Sequence, residues 1–149
     1  GAYGFIPEAN CRDSYLQALK ARDGLSSPSV PALLAHIAAY RDGAPWLDAL
    51  RDYLQANMRY VADTLNNAFP ALCWQPPEAT YLAWIDLRPL NVDDRALQQA
   101  LIAEQKVAIM PGYTYGPEGN GFLRLNVGCP REKLERGVEG LIAALRSLS

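Results

Sequence analysis

Arg124 has the most chemically telling setting in this chain. It lies in the run Phe122-Leu123-Arg124-Leu125-Asn126-Val127. Alternation puts Phe122, Arg124 and Asn126 on one face and Leu123, Leu125 and Val127 on the other. A guanidinium in mid-strand, beside an aromatic ring and an amide, is costly to bury without an anionic partner. Its planar fork suits a carboxylate held by two parallel hydrogen bonds, and Asn126, on the same face, can orient it. Plainer readings stay open: an edge-strand arginine facing solvent, one paired with a nearby acid such as Asp86, and an Asn126 amide that serves only a turn.

The loop before this strand, Pro111 to Gly121, carries glycines at 112, 116, 119 and 121. It has no G-x-G-x-x-G after a strand, no GK[ST] and no helix opening out of it, which argues against a phosphate cradle. A flexible hairpin or active-site lid is the better reading. Tyr113 and Tyr115 then either line a pocket mouth or pack the loop down. His36 is the one histidine and falls inside a helical stretch, so no ligand role is assigned to it. Cys129, between a strand and a helix, reads as a buried thiol with no base nearby in sequence.

The elements that must hold these residues are legible from periodicity. Residues 1–7 read as a short extended piece stopped by Pro7, and Arg12 to Lys20 as a helix with Asn10 as a possible cap. After the turn cluster RDGLSSPS, Ser29 is a good N-cap with Pro31 in the first turn, and Val30, Leu33, Leu34 and Ile37 form a stripe. Pro45 opens the longest helix, to about Ala68. Trp46, Leu50, Tyr53, Leu54, Asn57, Val61, Leu65 and Phe69 give it one buried face. Leu72 to Gln75 is a short strand candidate. Thr80 to Leu87 reads as a central strand covered on both faces. Asp93 caps a helix from Asp94 to Gln105 with Leu97, Leu101 and Ile102 inward. Val107 to Met110 and Phe122 to Val127 are strands, and Arg131 to Leu148 is the last helix, with Leu134, Val138, Leu141, Ile142, Leu145 and Leu148 inward. From residue 45 the order is αββαββα. That predicts an α/β (α+β) small domain, with a small mixed or mostly antiparallel sheet and helices packed on one face.

The 149 residues are half apolar and a fifth charged, as in a soluble globular domain. A net charge of -2 without a basic patch argues against nucleic-acid binding. No apolar run approaches the ~20 residues of a membrane helix. Three distant cysteines, Cys11, Cys73 and Cys129, with no CxxC, argue against a disulfide framework or a metal site, and make a reducing cytoplasm the default.

The stretch VAIMPGYTYGPEGNGFLRLNVGCPREKLE resembles the C-terminal signature of the MalY/PatB-type C–S lyases (cystathionine β-lyases). These are pyridoxal-phosphate (PLP) enzymes of the class I/II aminotransferase superfamily. ALKARDGLSSPSVPALLAHIAAYRDGAPWLDALRDYL and ATYLAWIDLRPLN resemble the same family, so the likeness runs over nearly the whole chain. It implies that Arg124, in the RLN segment, grips the α-carboxylate of an amino-acid substrate. It implies the small C-terminal domain of a fold-type I PLP enzyme for residues 45–149. Residues 1–44 would be the tail of the large PLP-binding domain and the crossing between the two. It also implies a homodimeric parent. The region of Ser26 and Ser27 approaches PLP phosphate in related aminotransferases, and a helix N-terminus with hydroxyls suits that role. A plain N-cap and turn is the alternative. One departure is Ala79, where many members have glycine before Thr-Tyr-Leu, and it bears on the pocket near that strand.

The chain opens GAYGFIP without an initiator methionine, which reads as part of a longer protein. Its three lysines, Lys20, Lys106 and Lys133, lack the serine- and glycine-rich setting of a PLP-holding lysine, so no catalytic residue is expected within it. The reading is therefore a C-terminal portion of a C–S β-lyase acting on L-cystathionine or cysteine S-conjugates and inactive alone. The alternatives are a class I/II aminotransferase and a non-catalytic binding domain.

Overall fold

The computed structural model describes residues 4–25 and 29–148. Ser26 and Ser27 lie outside the described residues. The chain divides into two units, Gly1–Ala49 and Leu50–Ser149.

In the first unit, helix α1 spans Ala9–Gln17. Its cap is Glu8, not Asn10: the Glu8 carboxylate accepts from the Cys11 backbone N–H at 2.6 Å. This carboxylate satisfies one of the helix's free N–H groups and is held below its ordinary pKa chiefly by that bond. A π-helical turn, Ala18–Arg22, follows. Helix α2, Val30–Asp42, begins after Ser29, whose side chain makes no capping bond. Neither α1 nor α2 contains a buried residue.

The second unit holds the core. Helix α3, Ala44–Ala68, begins before the division and buries Asn57, Met58, Val61, Ala62 and Leu65. The expected buried face is thus realised over its second half, whereas Trp46 and Tyr53 are exposed. Leu72 to Gln75 is not a strand. Cys73 takes a left-handed turn (φ 45°), and Asn66 clamps Trp74 through both its N–H and its carbonyl, each at 2.9 Å.

Strands β1 (Leu82–Asp86), β2 (Met110–Pro111) and β3 (Phe122–Asn126) form an antiparallel sheet in the order β1-β3-β2. The β1 segment, expected in the centre and covered on both faces, is an edge strand with Trp84 exposed; β3 is central. Trp84 pairs with Arg124 and Met110 pairs with Arg124 from the other side.

Helix α4 spans Asp94–Ala103, with the Asp93 carboxylate accepting from the N–H groups of Arg95 and Ala96. Leu97 and Leu101 face inward as expected, but Ile102 is exposed. The expected strand Val107 to Met110 shrinks to β2. Lys106 turns left-handed (φ 56°), the Val107 N–H bonds back to Leu101 O at 3.0 Å, and Val107 rests where Gly140 leaves room on helix α5 (Arg131–Ser147). These ties hold residues 107–109 off the sheet. On α5, Leu134, Val138, Leu141 and Leu145 step by four, three and four residues, which makes one face; all four are buried, and Leu148 is not. The inner face of the sheet, Ala83, Ile85, Leu123 and Leu125, joins α3, α4 and α5 in one apolar cluster.

Candidate functional site

The outer face of the sheet carries the candidate site. Alternation along β3 holds: Leu123 and Leu125 are buried, and Phe122 and Arg124 are half-buried on the opposite side. Phe122 stacks on Trp84 of β1 (centroids 5.6 Å, planes 20° apart), and Tyr115 meets Trp84 edge-on at 5.8 Å. The Arg124 guanidinium lies 4.7 Å above the Tyr115 ring. Cation–π contact of this kind fixes a guanidinium plane and leaves its N–H fork available in-plane.

Arg124 makes no ion pair among the described residues. Asp86, the nearby acid, is taken by Arg88 instead. Its two oxygens accept from Arg88 Nε at 2.9 Å and from the terminal guanidinium nitrogen at 2.7 Å. That pairing, first through its hydrogen bonds, holds the Asp86 carboxyl below the usual carboxylate range. Asp86 is therefore committed elsewhere, and no carboxylate among the described residues pairs with Arg124.

The loop that delivers Tyr115 is folded back on itself. It consists of two short 3₁₀ turns, Gly112–Tyr115 and Pro117–Gly119. Gly112 and Gly119 are packed so closely that a Cβ on either would collide with the other's carbonyl oxygen. Only glycine at both positions permits this approach. The loop is also tied down through Gly121, whose N–H donates to the Asp94 carboxylate at 2.7 Å and whose carbonyl accepts from the Leu87 N–H at 2.8 Å. Tyr113 does not touch Arg124: its ring lies under Arg95, 5.1 Å from the guanidinium carbon.

Beside Arg124 a cavity of about 710 Å³ opens where residues 105–109 diverge from β3. Arg124, Asn126, Cys129 and the start of α5 line it. Asn126 is exposed, and its Oδ1 accepts from the Gly128 N–H at 2.8 Å, so the amide braces the turn after the strand. The half-buried Cys129 thiol reaches only the Asn126 carbonyl, at 3.8 Å.

Two supports escape a reading of sequence alone. Trp84 is an aromatic platform for the arginine face, visible only once the register pairs it with Arg124. Asn57 is buried on α3, and its amide donates to Val127 O at 2.9 Å and Cys129 O at 3.4 Å, while Tyr53 Oη donates to Cys129 O at 2.9 Å. Together they pin the turn that leaves β3. An amide inside an otherwise apolar stripe was the available signal. His36 sits in α2, and among the described residues no cluster of metal-ligating side chains occurs. No helix among them is long and apolar enough to cross a membrane.

The geometry has clear relatives. Residues 4–141 match the family model of aminotransferase class I and II. The chain is 70% identical to protein MalY of Escherichia coli K12 over 99% of its length and 38% of that protein's. It is 38% identical to the cystathionine β-lyase PatB of Bacillus subtilis over 94% of its length and 36% of that protein's. Cystalysin from Treponema denticola, whose crystal structure contains a pyridoxal 5'-phosphate cofactor, superposes with a TM-score of 0.85 at 27% identity, covering 97% of this chain and 36% of cystalysin. The chain thus spans little more than a third of the relatives it matches, and on the family model it belongs to the aminotransferase class I and II family.

Proposed function

We propose that this chain is the substrate-carboxylate-binding part of a PLP-dependent C–S β-lyase, which cleaves L-cystathionine or cysteine S-conjugates to a thiol, pyruvate and ammonia. The observation that carries the reading is Arg124: central strand, half-buried, braced on Tyr115, and without an acid partner among the described residues. The relatives supply the reaction class, since PatB is a cystathionine β-lyase and cystalysin holds PLP.

The residues present fit the substrate half of such a site. Bound PLP would supply an electron sink for loss of the Cα proton and of the thiol from Cβ. This chain binds the α-carboxylate at the Arg124 fork. It would orient the substrate through that grip, a positioning effect that sets which bond at Cα is presented for cleavage. The lysines here do not suit a cofactor-holding role. The Lys106 ammonium donates to Ala103 O at 2.6 Å, and Lys20 and Lys133 are exposed on helical surfaces. The lysine that holds PLP therefore belongs to another part of a longer, homodimeric protein, in which residues 1–44 tail the large domain and 45–149 form the small one. Ser26 and Ser27 remain candidates for the cofactor phosphate, and Asn126 and Tyr113 secondary candidates at the substrate. The three unpaired cysteines support a reducing, cytoplasmic setting.

The test is Arg124→Ala in the longer protein. Removing a bidentate charged grip is expected to lower kcat/KM about 100-fold, chiefly through KM. Unchanged kinetics would remove Arg124 from the site. The 149-residue chain alone is expected to show no lyase turnover with added PLP. The family model also favours a second reading, an aminotransferase. Product analysis separates the two: pyruvate and thiol without an added keto acid, or amino transfer only when one is supplied.

A further inference from the structure

The cavity beside Arg124 is charged in one sense only. Its lining contains Arg124, Lys106, Lys133 and Arg136, and not one carboxylate, in a chain whose net charge is -2. Composition alone would have placed acids there as readily as bases. None of these cations is paired with an acid among the described residues. Among the described residues, Lys133 and Arg136 make no ion pair or hydrogen bond through their side chains, and Arg124 has only the Tyr115 ring. Lys106 is spent on the carboxyl end of α4 through Ala103 O. Between the cations the lining includes the apolar Val107, Ile109, Met110, Leu125 and Leu134 beside the polar Gln105 and Asn126.

The backbone explains why the cavity exists. β2 pairs with β3 only at Met110 and Pro111, because Lys106 turns left-handed and Val107 is drawn onto α5 at Gly140. The chain before Met110 therefore leaves the sheet, and the gap is closed on its far side by Lys133, Leu134, Arg136 and Gly137. Its volume, about 710 Å³, is several times that of a single carboxylate and falls in the range of small-molecule sites.

We propose that this cavity is a dicarboxylate site. One carboxylate sits on Arg124, the apolar lining takes a short carbon or thioether chain, and the second carboxylate is held by Lys133 and Arg136. This rests on the reading of Arg124 as a carboxylate grip and sharpens it. Lys133 and Arg136 become specificity-determining residues for substrates whose leaving thiol carries its own acid group.

The test is an NMR titration of the 149-residue chain at low ionic strength, where exposed charges are least screened. The probes are succinate, glutarate and adipate, each against the monocarboxylate of equal carbon number. Lys133 and Arg136 are exposed, so Lys133→Ala/Arg136→Ala keeps the fold, which circular dichroism checks. The best dicarboxylate is expected to bind about fivefold to tenfold tighter than its monocarboxylate, with shifts at both Leu125–Asn126 and Lys133–Gly137. The double variant should abolish that preference and leave monocarboxylate binding unchanged, whereas Arg124→Ala should weaken both. Equal affinity for the two acids, no saturable shifts with any dicarboxylate, or a preference that survives the double variant overturns the site. If the preference survives while Arg124→Ala still weakens both acids, the carboxylate grip stands and only the second subsite falls. If Arg124→Ala changes neither acid, the grip itself falls, and the dicarboxylate site with it.

Discussion

Helices α2 and α5 both carry a run of aliphatic residues at helical spacing, yet those residues end up in opposite environments. In α2, Val30, Leu33, Leu34, Ile37 and Tyr40 are each between 46% and 72% exposed. In α5, Leu134, Val138, Leu141 and Leu145 are at most 2% exposed. The same contrast divides the two units: the first, Gly1–Ala49, has no buried described residue, and the second, Leu50–Ser149, contains the whole apolar cluster. Periodicity identifies which side of a helix is apolar; whether that side is covered depends on what else the fold supplies. α2 has apolar residues nearly all round, and only His36, Arg41 and Asp42 interrupt them, whereas α5 has a sharp polar face.

The sharpest way to break this contrast is to truncate one leucine from each helix. Leu141→Ala is expected to cost on the order of 3–4 kcal/mol, the usual loss for a fully buried leucine whose cavity does not collapse. Leu34→Ala should change stability by less than about 0.5 kcal/mol, since the side chain is already in water. Urea unfolding followed by circular dichroism measures both. Equal losses would mean that α2 is covered in solution as fully as α5.

A polar pair of changes sharpens it further. Asn57→Ala deletes the amide that serves the Val127 and Cys129 carbonyls, leaving the buried Val127 carbonyl without that donor while Cys129 O keeps the Tyr53 hydroxyl. The expected loss is about 2 kcal/mol, with sharper amide exchange at residues 127–129. Arg41→Ala in the first unit removes a bidentate pair with Asp42 that is more than half exposed on both sides, and should leave the unfolding transition unchanged. A small effect of Asn57→Ala would show that water replaces the amide and that the turn is not held from α3.

How much of this was written in the sequence depends on the range of the forces involved. The β3 alternation, the Asp93 cap, the long α3 and the inward face of α5 are local patterns of side-chain type, and each is found where the sequence put it, except that Leu148 and, on the first half of the α3 face, Trp46 and Tyr53 are exposed. The edge position of β1 could not be read from TYLAWIDL, because strand order is set by pairing at a distance, and the Phe122 and Tyr115 rings cover Trp84 only in part. The loss of a strand at 107–109 likewise turns on Lys106 φ and on a contact with Gly140, more than thirty residues on. For the site, the residue types named Arg124 as a carboxylate grip in need of a partner. That Asp86 is engaged by Arg88, which leaves the guanidinium free, is a matter of side-chain geometry that spacing does not encode.

The gentlest probe compares two carboxylates, one in each unit. Asp86 is held below the usual carboxylate range first by its hydrogen bonds to Arg88, and Glu8 is held down by the Cys11 backbone N–H. A depressed folded pKa contributes stability that is fully present above the unfolded value, near 4, and is lost as pH falls through the folded one. Asp86→Asn should therefore lower the unfolding midpoint at pH 7 by a small amount, at most about 0.5 kcal/mol because Arg88 is largely exposed, and the gap to the parent should close in acid below pH 4. Glu8→Gln has the same sign and the same pH window, but its carboxylate caps α1, in the unit without a core. It should reduce helical signal at neutral pH and leave the midpoint of the cooperative transition where it was. Thermal melts between pH 2 and 7 read both. If Glu8→Gln moves the midpoint as far as Asp86→Asn does, the two units unfold as one, and α2 then draws stability from the core that α5 helps to build.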